Sequence, residues 1–374
     1  MRIAKVRARV LSADVGDGFS FSIGDYSAYS CVLVEVQSDD GLIGYGEAIV
    51  RRAPEMARAA VESLLAPVVI GEDPRKIGHH WVAMVDRLRR WGHSTGVVME
   101  AVSGVDTALW DLVGRHEGKP IWELLYGEGR RQLPCYASAL AMADDEAVRT
   151  QAVEQVARGF TALKMKIGRR QEQGGIRADV RAVVAVRDAV GQDVDLYVDA
   201  NGAYDAASAI RVARELEDCE VGFFEEPVPP DDLAGYERVH AATSVPLAAG
   251  ETVFSVFGFR EFIERRLIDI VQPDVGRCGG ITGAWQASAL TYAANLALAP
   301  HTGLSGGVSQ LAALHIGAAS PTLNPIEYMI VPNPLREIFV GGYPVAHDGV
   351  VDVPAGPGLG LELDRDALDE LTVR

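Results

Sequence analysis

The chain has 374 residues, of which 48% are hydrophobic and 23% charged, and this composition is typical of a globular protein rather than a disordered or fibrous one. Its 35 Lys and Arg residues against 52 Asp and Glu residues give a net charge of −17. This charge opposes binding to a phosphate backbone, so nucleic acid is not an expected partner. The length predicts one large α/β unit with a smaller domain beside it.

The cysteines and the amino terminus bear on the compartment. The sequence has no C-x-x-C pair, which favours reduced, buried thiols over a disulfide or zinc framework. The amino terminus has no apolar signal core, and no later run reaches the ~18 apolar residues that a membrane span needs. We therefore expect a cytoplasmic protein with no membrane partner. The four widely spaced cysteines are Cys31, Cys135, Cys219 and Cys278.

The first 125 residues are predicted to form an α+β domain. Strand-like segments at residues 2–10 and 29–38 flank a polar, Gly-containing loop from Asp14 to Tyr29, and the segment DDGLIGYGEA has the turn chemistry of a hairpin. From Ala53 to about Gly118, apolar residues recur at spacings of three and four, which predicts helices. A small antiparallel sheet followed by helices is the expected arrangement.

After Leu133 the pattern changes to short apolar runs separated by amphipathic segments, which is typical of βα units. Eight such runs, each but the last followed by a helix-like segment, predict a (β/α)7β TIM-like barrel over residues 126–330. The tail, residues 331–374, is rich in Gly and Pro and is expected to return to residues 1–125, completing an α+β capping domain. The runs are PCYASAL, ALKMKIG, DLYVDAN, VGFFEEP, PLAAGE, DIVQPDV, LALAPHT and PIEYM.

Polar residues end nearly every run, and successive ones are spaced by 23 to 33 residues, about one βα unit each. The carboxyl ends of barrel strands meet at one rim, where active sites of this fold lie, so we expect these side chains to converge on one mouth. They are Lys164, Lys166, Asp199, Glu225, Glu226, Glu251, Asp274, His301 and Glu327.

Three of these strand ends carry carboxylates that would repel one another unless a hard divalent cation neutralised them. An all-oxygen set favours Mg²⁺ over zinc, because no Cys or His belongs to it. Asp199 and Glu251 supply two ligands. Strand alternation lets only one of Glu225 and Glu226 point inward, and spacing alone leaves the third ligand open between them.

Candidate bases lie on the second and seventh runs. Lys164 and Lys166 are two apart and therefore on one strand face, where like charge and a nearby cation should lower a lysine pKa from about 10.4 toward neutrality. Such a lysine can act as a base. His301 follows another run, and Asp274 one unit earlier could hold its imidazole and raise its basicity.

The ordered motifs KMK, VDANGAY, FFEEP, AAGE, QPDV, APHT and IEY resemble the mandelate racemase subgroup of the enolase superfamily, the mandelate racemase/muconate lactonizing enzyme family. GLIGYGEA and WDLVGRHEGKPIWELLYG resemble that family's capping domain, so the resemblance spans nearly the whole chain. It implies Mg²⁺ bound by Asp199, Glu225 and Glu251, which resolves the choice left open by alternation.

The resemblance also implies residue roles in removing the proton alpha to a carboxylate through an ene-diolate. Lys166 is similar to the base on one face of the substrate carbon, and His301 with Asp274 to the base on the other. Lys164 is similar to a carboxylate-binding neighbour, and Glu327 to an electrophile that would donate as a protonated acid. A homo-oligomer would fit the family.

The fate of the intermediate stays open among several outcomes. Dehydration of an acid sugar to a 2-keto-3-deoxy acid is the first expectation; racemisation or epimerisation of a hydroxy acid and cycloisomerisation of an acid-sugar lactone are alternatives, and a non-catalytic carbohydrate-binding barrel is a remote one. Asn201 stands where some sugar-acid dehydratases have a histidine, which disfavours enzymes that rely on that histidine. Asn201 and Tyr26 are candidate substrate-binding residues. The loop walls are expected to include Phe19, Phe21, Tyr26 and Tyr29.

Overall fold

The computed structural model describes residues 1–22 and 24–373, with the side chains of residues 16–21, 25 and 26 left outside the description. Its first part is a three-stranded antiparallel sheet of order β1-β2-β3, followed by helices. The strands are β1 (Ile3–Phe21), β2 (Gly24–Ser38) and β3 (Ile43–Ile49); the helices are α1 (Pro54–Ala60), a π-helical turn (Val61–Leu65), α2 (Ala66–Val69), α3 (Ile77–Arg89), α4 (Val97–Glu117) and α5 (Ile121–Tyr126).

Side chains along β2 point alternately to the two faces of the sheet, one toward the helices and the other toward the barrel. Val32, Val34 and Val36 pack against the helices, whereas Leu33 on the opposite face joins the core shared with the barrel. Helix α4 lies close against β3, because a Cβ at Gly46 would stand 2.0 Å from the carbonyl oxygen of Gly104. The predicted sheet and helices are therefore both present.

The segment from Asp14 to Tyr29, predicted to be a loop, is instead the outer part of a long hairpin. Strands β1 and β2 remain paired as far as Phe21 opposite Gly24, with a register shift between Asp14 and Phe19. Aromatic and β-branched residues favour strand pairing, and the segment contains several of them among its glycines. At the tip, Ser22 Oγ donates a 2.9 Å hydrogen bond to the Ala200 carbonyl.

Eight parallel strands form the barrel in the order β10-β9-β8-β7-β6-β5-β4-β11, which confirms the predicted fold class. They are β4 (Gln132–Leu140), β5 (Ala162–Lys166), β6 (Asp195–Asp199), β7 (Val221–Glu225), β8 (Leu247–Ala249), β9 (Ile270–Val271), β10 (Ala297–Leu298) and β11 (Ile326–Met329). The intervening helices are α6 (Asp145–Ala157), α7 (Gly175–Val190), α8 (Ala206–Glu217), α9 (Leu233–His240), α10 (Ser255–Glu264), α11 (Gly280–Ala293) and α12 (Gly307–Ala319).

The ring closes between its last two strands. Leu298 of β10 accepts a 2.7 Å backbone hydrogen bond from Asn324 and donates one of 2.9 Å to Thr322, just before β11. Inside the ring, one side chain from each of seven successive strand segments fills a layer below the mouth. These interior residues are Tyr136, Ala162, Tyr197, Phe223, Ala248, Ile270 and Ala299.

The carboxyl-terminal tail returns to the first sheet, as predicted, but part of it pairs with the barrel. Thr372 bridges Leu11 of β1, and the Val373 N–H donates a 2.9 Å hydrogen bond to the Val10 carbonyl. Strand β12 (Val350–Asp352) pairs antiparallel with the start of β4, and α13 (Arg365–Leu371) follows it. The free amino-terminal end of β4, which extends below the ring, provides this extra edge.

Two further findings concern the cysteines and the helices. All four cysteines are buried and free, as the sequence predicted. Across residues 1–22 and 24–373, no helix combines the length and apolar character that crossing a membrane requires.

Candidate active site

The second barrel strand, β5, points both of its lysines into the barrel mouth. Lys164 and Lys166 alternate with Leu163 and Met165, whose side chains pack outward in the core under the helices. Lys164 is fully buried; its Nζ lies 2.7 Å from Glu225 Oε2 and 2.8 Å from an oxygen of a further carboxylate described below. Lys164 and Lys166 therefore lie on the same face of β5, as predicted.

Lys166 Nζ donates hydrogen bonds to Asp199 Oδ2 and, at 3.1 Å, to Asn201 Oδ1. Burial lowers the pKa of Lys166, and the Lys164 ammonium lowers it further, but the Asp199 carboxylate and two other nearby carboxylates together raise it more, so the net direction is upward. The facing carboxylates thus offset the lowering expected from the second ammonium, and the lowering of the lysine pKa beside a bound cation stays a prediction.

Asn201 joins two strand ends. Its backbone N–H donates a 2.8 Å hydrogen bond to Asp199 Oδ1, and its side-chain Nδ2 donates one of 3.2 Å to Glu251 Oε1. With its Oδ1 accepting from Lys166, the side-chain amide uses both of its ends inside the site. Asn201 therefore lies in the mouth, where it is 8% exposed, and its contact with substrate stays a prediction.

Glu225 and Glu226 are both buried, but their carboxylates have different surroundings. Glu225 Oε2 accepts hydrogen bonds from Lys164 and, at 2.8 Å, from Gln272 Nε2, whereas Glu225 Oε1 has no donor among the described residues. Burial, with Asp199 adding to it, raises the Glu225 pKa to about 7. Glu226 follows the strand with a φ of 39° and turns away to accept a hydrogen bond from the Thr252 hydroxyl.

His301 is held from both ring nitrogens. Its Nδ1 lies 2.8 Å from Asp274 Oδ2, and its Nε2 lies 2.6 Å from Glu251 Oε2 and 3.5 Å from Glu327 Oε2. Burial lowers the pKa of His301, but Glu327 and Glu251 raise it more, and the net pKa is well above the usual value. The hydrogen bond from Asp274 adds to this upward direction, and the role of His301 as a base stays a prediction.

Glu327 is surrounded by donors. Its Oε1 accepts from Ser138 Oγ at 2.6 Å and faces Lys164 Nζ, and its Oε2 accepts from the Thr302 N–H at 2.7 Å. Burial raises the pKa of Glu327, but Lys164 and His301 lower it well below its usual range. These donors favour the ionised carboxylate, and the role of Glu327 as a protonated donor to the substrate stays a prediction.

One group of three potential metal-ligand atoms lies within 4.8 Å of one another in the part of the chain that the structure describes: one atom each from Glu225, Glu251 and His301. The predicted set had Asp199 in place of His301. Asp199 is not in this group; its Oδ2 accepts a hydrogen bond from Lys166 and its Oδ1 accepts one from the Asn201 backbone N–H.

The surroundings of this group nevertheless fit a hard cation. Asp199, Glu225 and Glu251 end adjacent strands in the ring, and all three are nearly or fully buried. Like charges in that position need compensation, and the donor-free oxygen of Glu225 is available to a cation that accepts oxygen ligands.

Several residues at the mouth were missed by the sequence analysis. Arg51, just after β3, lies 3.1 Å from Glu251 through Nη2, and it lines one cavity with Lys166, Asn201 and His301. The sequence offered one indication of Arg51, a cation directly after a strand, but that strand belongs to the capping domain and not to the barrel. The remaining residues are Ser138, Gln272, Arg277 and Thr302, whose local sequence gives no such signal.

The predicted walls of the site have mixed outcomes. Tyr29 is 3% exposed and belongs to the hydrophobic core, so it does not line the mouth. The side chains of Phe19, Phe21 and Tyr26 lie outside the described residues. Gly303 borders the cavity, and a Cβ there would stand 2.7 Å from His301 Nε2.

Two family models match the chain. Residues 6–126 match the mandelate racemase/muconate lactonizing enzyme N-terminal domain, and residues 147–367 match the enolase C-terminal domain-like model. The D-galactarolactone cycloisomerase of Agrobacterium fabrum is 35% identical over 382 residues, covering 99% of this chain and 98% of that protein. The arabinonate dehydratase of Saccharolobus solfataricus is 33% identical, covering 91% of this chain and 89% of that protein.

Solved structures agree with this relationship. A racemase from Streptomyces coelicolor with bound magnesium has a TM-score of 0.90 at 29% identity, covering 99% of this chain and 100% of that one. The family models together cover most of the chain, and the curated relatives above are enzymes aligned along nearly all of it. The chain therefore belongs to the mandelate racemase/muconate lactonizing enzyme family of the enolase superfamily.

Proposed function

We propose that the protein removes the proton alpha to the carboxylate of an acid sugar and expels the oxygen on the next carbon as water, giving a 2-keto-3-deoxy acid. The observation that carries this proposal is that Lys166 and His301 line the same small cavity beside the carboxylate cluster. Their strands, β5 and β10, lie three apart in one direction around the ring and five apart in the other. A carbon between them would meet a base on each face.

The metal part of the proposal assigns Mg²⁺ to Asp199, Glu225 and Glu251. When bound, it would stabilise negative charge on the substrate carboxylate and compensate the carboxylates that now raise the pKa of the candidate bases. The buried carboxylates and the donor-free Glu225 oxygen support this assignment. Hydrogen bonds from Asn201 to Asp199 and Glu251 would orient two of the ligands.

Different residues of the chain would then carry out the proton transfers and stabilise the developing charge. Lys166 Nζ or His301 Nε2 takes the α-proton, and the electron pair of the broken C–H bond moves into the substrate carboxylate to form an ene-diolate. Lys164 lies between the carboxylates of Glu225 and Glu327. It would donate a hydrogen bond to the substrate carboxylate as negative charge develops there. Collapse of the ene-diolate breaks the bond to the β-oxygen, which leaves as water as it receives a proton from protonated His301. The resulting enol gains a proton at the β-carbon and loses its hydroxyl proton to give the 2-keto-3-deoxy acid.

A lactone substrate is the second candidate, and the 35% identity to a D-galactarolactone cycloisomerase favours it. If the β-oxygen belongs to a lactone ring, the same collapse opens the ring without losing water, so the product is an isomer. Dehydration remains the first proposal because an open-chain acid sugar needs only the bases and carboxylate-binding groups already in the mouth.

A panel of mono- and diacid sugars and their lactones, incubated with Mg²⁺ in deuterated water, tests the function. Product mass separates loss of water from ring opening, and deuterium at the α-carbon reports proton removal. A change of configuration without mass loss or ring opening would show a racemase or epimerase. If no panel member exchanged its α-proton, the proposal would be wrong. The Lys166→Met/His301→Asn double variant is the control for background exchange.

A further inference from the structure

A turn between β9 and α11, residues 274–278, connects the mouth to the capping domain. The N–H groups of Arg277 and Cys278 donate to the Asp274 carbonyl at 3.0 and 2.8 Å, and the Gly276 N–H donates to Asp274 Oδ1 at 2.9 Å. Its Gly276 carbonyl accepts a hydrogen bond from Ile49 of β3. Asp274, which holds His301, is therefore fixed by a turn that the capping domain contacts.

Arg277 connects this turn to two other parts of the molecule. Its Nη1 donates a 2.9 Å hydrogen bond to the backbone carbonyl of Glu251 on the neighbouring strand segment. Its Nε lies 2.9 Å from Glu100 Oε1, on the first turn of α4 in the capping domain. The Arg277 and Glu100 side chains are 12% and 6% exposed, so solvent screens this ion pair little.

We propose that Arg277, anchored by Glu100, is a positioning residue that sets the orientation of both the His301–Asp274 pair and Glu251. This proposal rests on the function proposed above, since it assigns these groups to the base and the metal. Arg277 touches none of the reacting atoms and acts through the groups it holds.

The chemistry of the guanidinium explains why an arginine is suited to this place. Its planar fork can donate from Nε to one partner and from Nη1 to another at the same time. The compact ammonium of a lysine on a flexible stem would satisfy one partner at most at these distances. Loss of the fork would free the Glu251 backbone, leave Glu100 buried without its cation, and loosen the turn under Asp274.

The test uses two readouts that do not depend on turnover: Mg²⁺ affinity by calorimetry, and the downfield proton signal of the His301–Asp274 hydrogen bond, assigned by its absence in His301→Asn. For Arg277→Met we expect about tenfold weaker Mg²⁺ binding or more, which is the usual cost of losing an outer partner of a metal site, and a broadened or lost proton signal. Unchanged affinity and an unchanged signal would overturn the proposal.

Arg187→Met is the matched control. Arg187 is also buried and clamps backbone carbonyls, with Nε 2.9 Å from the Cys219 oxygen and Nη1 2.7 Å from the Val194 oxygen, but it lies at the opposite end of the barrel strands. It should lose stability while keeping wild-type Mg²⁺ affinity and proton signal. Equal changes in both variants would make Arg277 merely structural and would overturn the proposal.

If Arg277→Met does not fold, Arg277→Lys and Glu100→Gln replace it, each keeping part of the interaction. Both should shift the two readouts in the same direction by smaller factors; no shift in either variant overturns the proposal. The two proposals can fail separately. If the wild-type enzyme exchanged no α-proton on the substrate panel, the proposed reaction would be wrong. The expected changes in Mg²⁺ affinity and proton signal would still support the positioning role of Arg277.

Discussion

His301 and Glu251 share a hydrogen bond: Nε2 of the imidazole lies 2.6 Å from Oε2 of the carboxylate. The proposed base on one substrate face and a proposed metal ligand are therefore parts of one network. Arg51 contacts the same Glu251 oxygen, at 3.1 Å. A substitution at Glu251 should accordingly affect both Mg²⁺ binding and proton transfer by His301, although the two residues end different strands.

Glu251→Gln should weaken Mg²⁺ binding at least tenfold and also reduce His301-dependent proton exchange, because the neutral amide loses both the ligand charge and the carboxylate that faces the imidazole. Asp199→Asn should weaken Mg²⁺ binding similarly. Calorimetry measures the affinity, and deuterium incorporation measures the exchange.

Glu226→Gln is the control for these variants, since its carboxylate accepts from Thr252 and an amide oxygen can still do so. Its effect on Mg²⁺ affinity should be much smaller than that of Glu225→Gln. Equal losses at Glu225 and Glu226 would contradict the proposed ligand set.

Removing divalent metal with a chelator should abolish turnover while leaving the fold largely intact. The carboxylates lie at the ends of strands in a barrel whose aromatic and aliphatic layer is packed beneath them, so folding does not depend on the metal. Circular dichroism and a thermal melt report the fold, and restored turnover on adding Mg²⁺ is the control. Undiminished turnover in the chelated enzyme would remove the metal from the mechanism.

The two bases should each serve one configuration of the α-carbon. Lys166→Met should stop exchange from one configuration, while His301→Asn should stop it from the other or block departure of the β-oxygen, with Mg²⁺ still bound. Deuterium incorporation and keto-acid release followed in parallel distinguish these cases, since exchange without release is proton transfer without elimination. Full exchange and turnover in both variants would remove the two-base mechanism.

Gly303→Ala should displace His301, because a Cβ there would stand 2.7 Å from Nε2 of an imidazole already held by Asp274. We expect a loss of His301-dependent exchange on the order of 10- to 100-fold, the scale of a misplaced catalytic group, with Lys166-dependent exchange less affected. Gly78→Ala is the control, since its added Cβ would meet nothing within 4 Å. Similar losses from both alanines would show that the effect is not local to the imidazole.

Protonation of His315 should make the fold less stable in acid. Burial lowers the pKa of His315 from 6.5 to about 4, and its Nε2 donates to the Leu359 carbonyl in the neutral form. The unfolded chain therefore binds a proton near pH 6.5 that the folded chain resists until about pH 4. The free energy of unfolding should fall by about 3 kcal/mol across that window and be unaffected by this group above it.

Urea unfolding of wild type and His315→Gln at several pH values between 4 and 7.5 measures the effect, as Gln cannot titrate but can still donate to Leu359. The stability difference between the two proteins should change with pH across the window. A control at the exposed His79, His79→Gln, should keep the wild-type dependence. Parallel curves for wild type and His315→Gln would exclude His315 as the cause.

The sequence by itself determined the barrel and the positions at its mouth. Alternation with period two sets which side of β5 carries Lys164 and Lys166, and the repeat of about one βα unit brings Asp199, Glu251 and His301 to the same rim. These are local rules of backbone geometry, so they can be applied without knowledge of distant contacts.

Only the tertiary structure decided which charged groups face one another. The pKa directions of Lys166 and Glu327 depend on carboxylates and donors from other strands, which the spacing of the strand ends does not contain. Arg51 reaches Glu251 across 200 positions of the chain, and Arg277 reaches Glu100 across 177. Electrostatic interactions depend on distance in space and on burial, and neither quantity is contained in the order of residues along the chain.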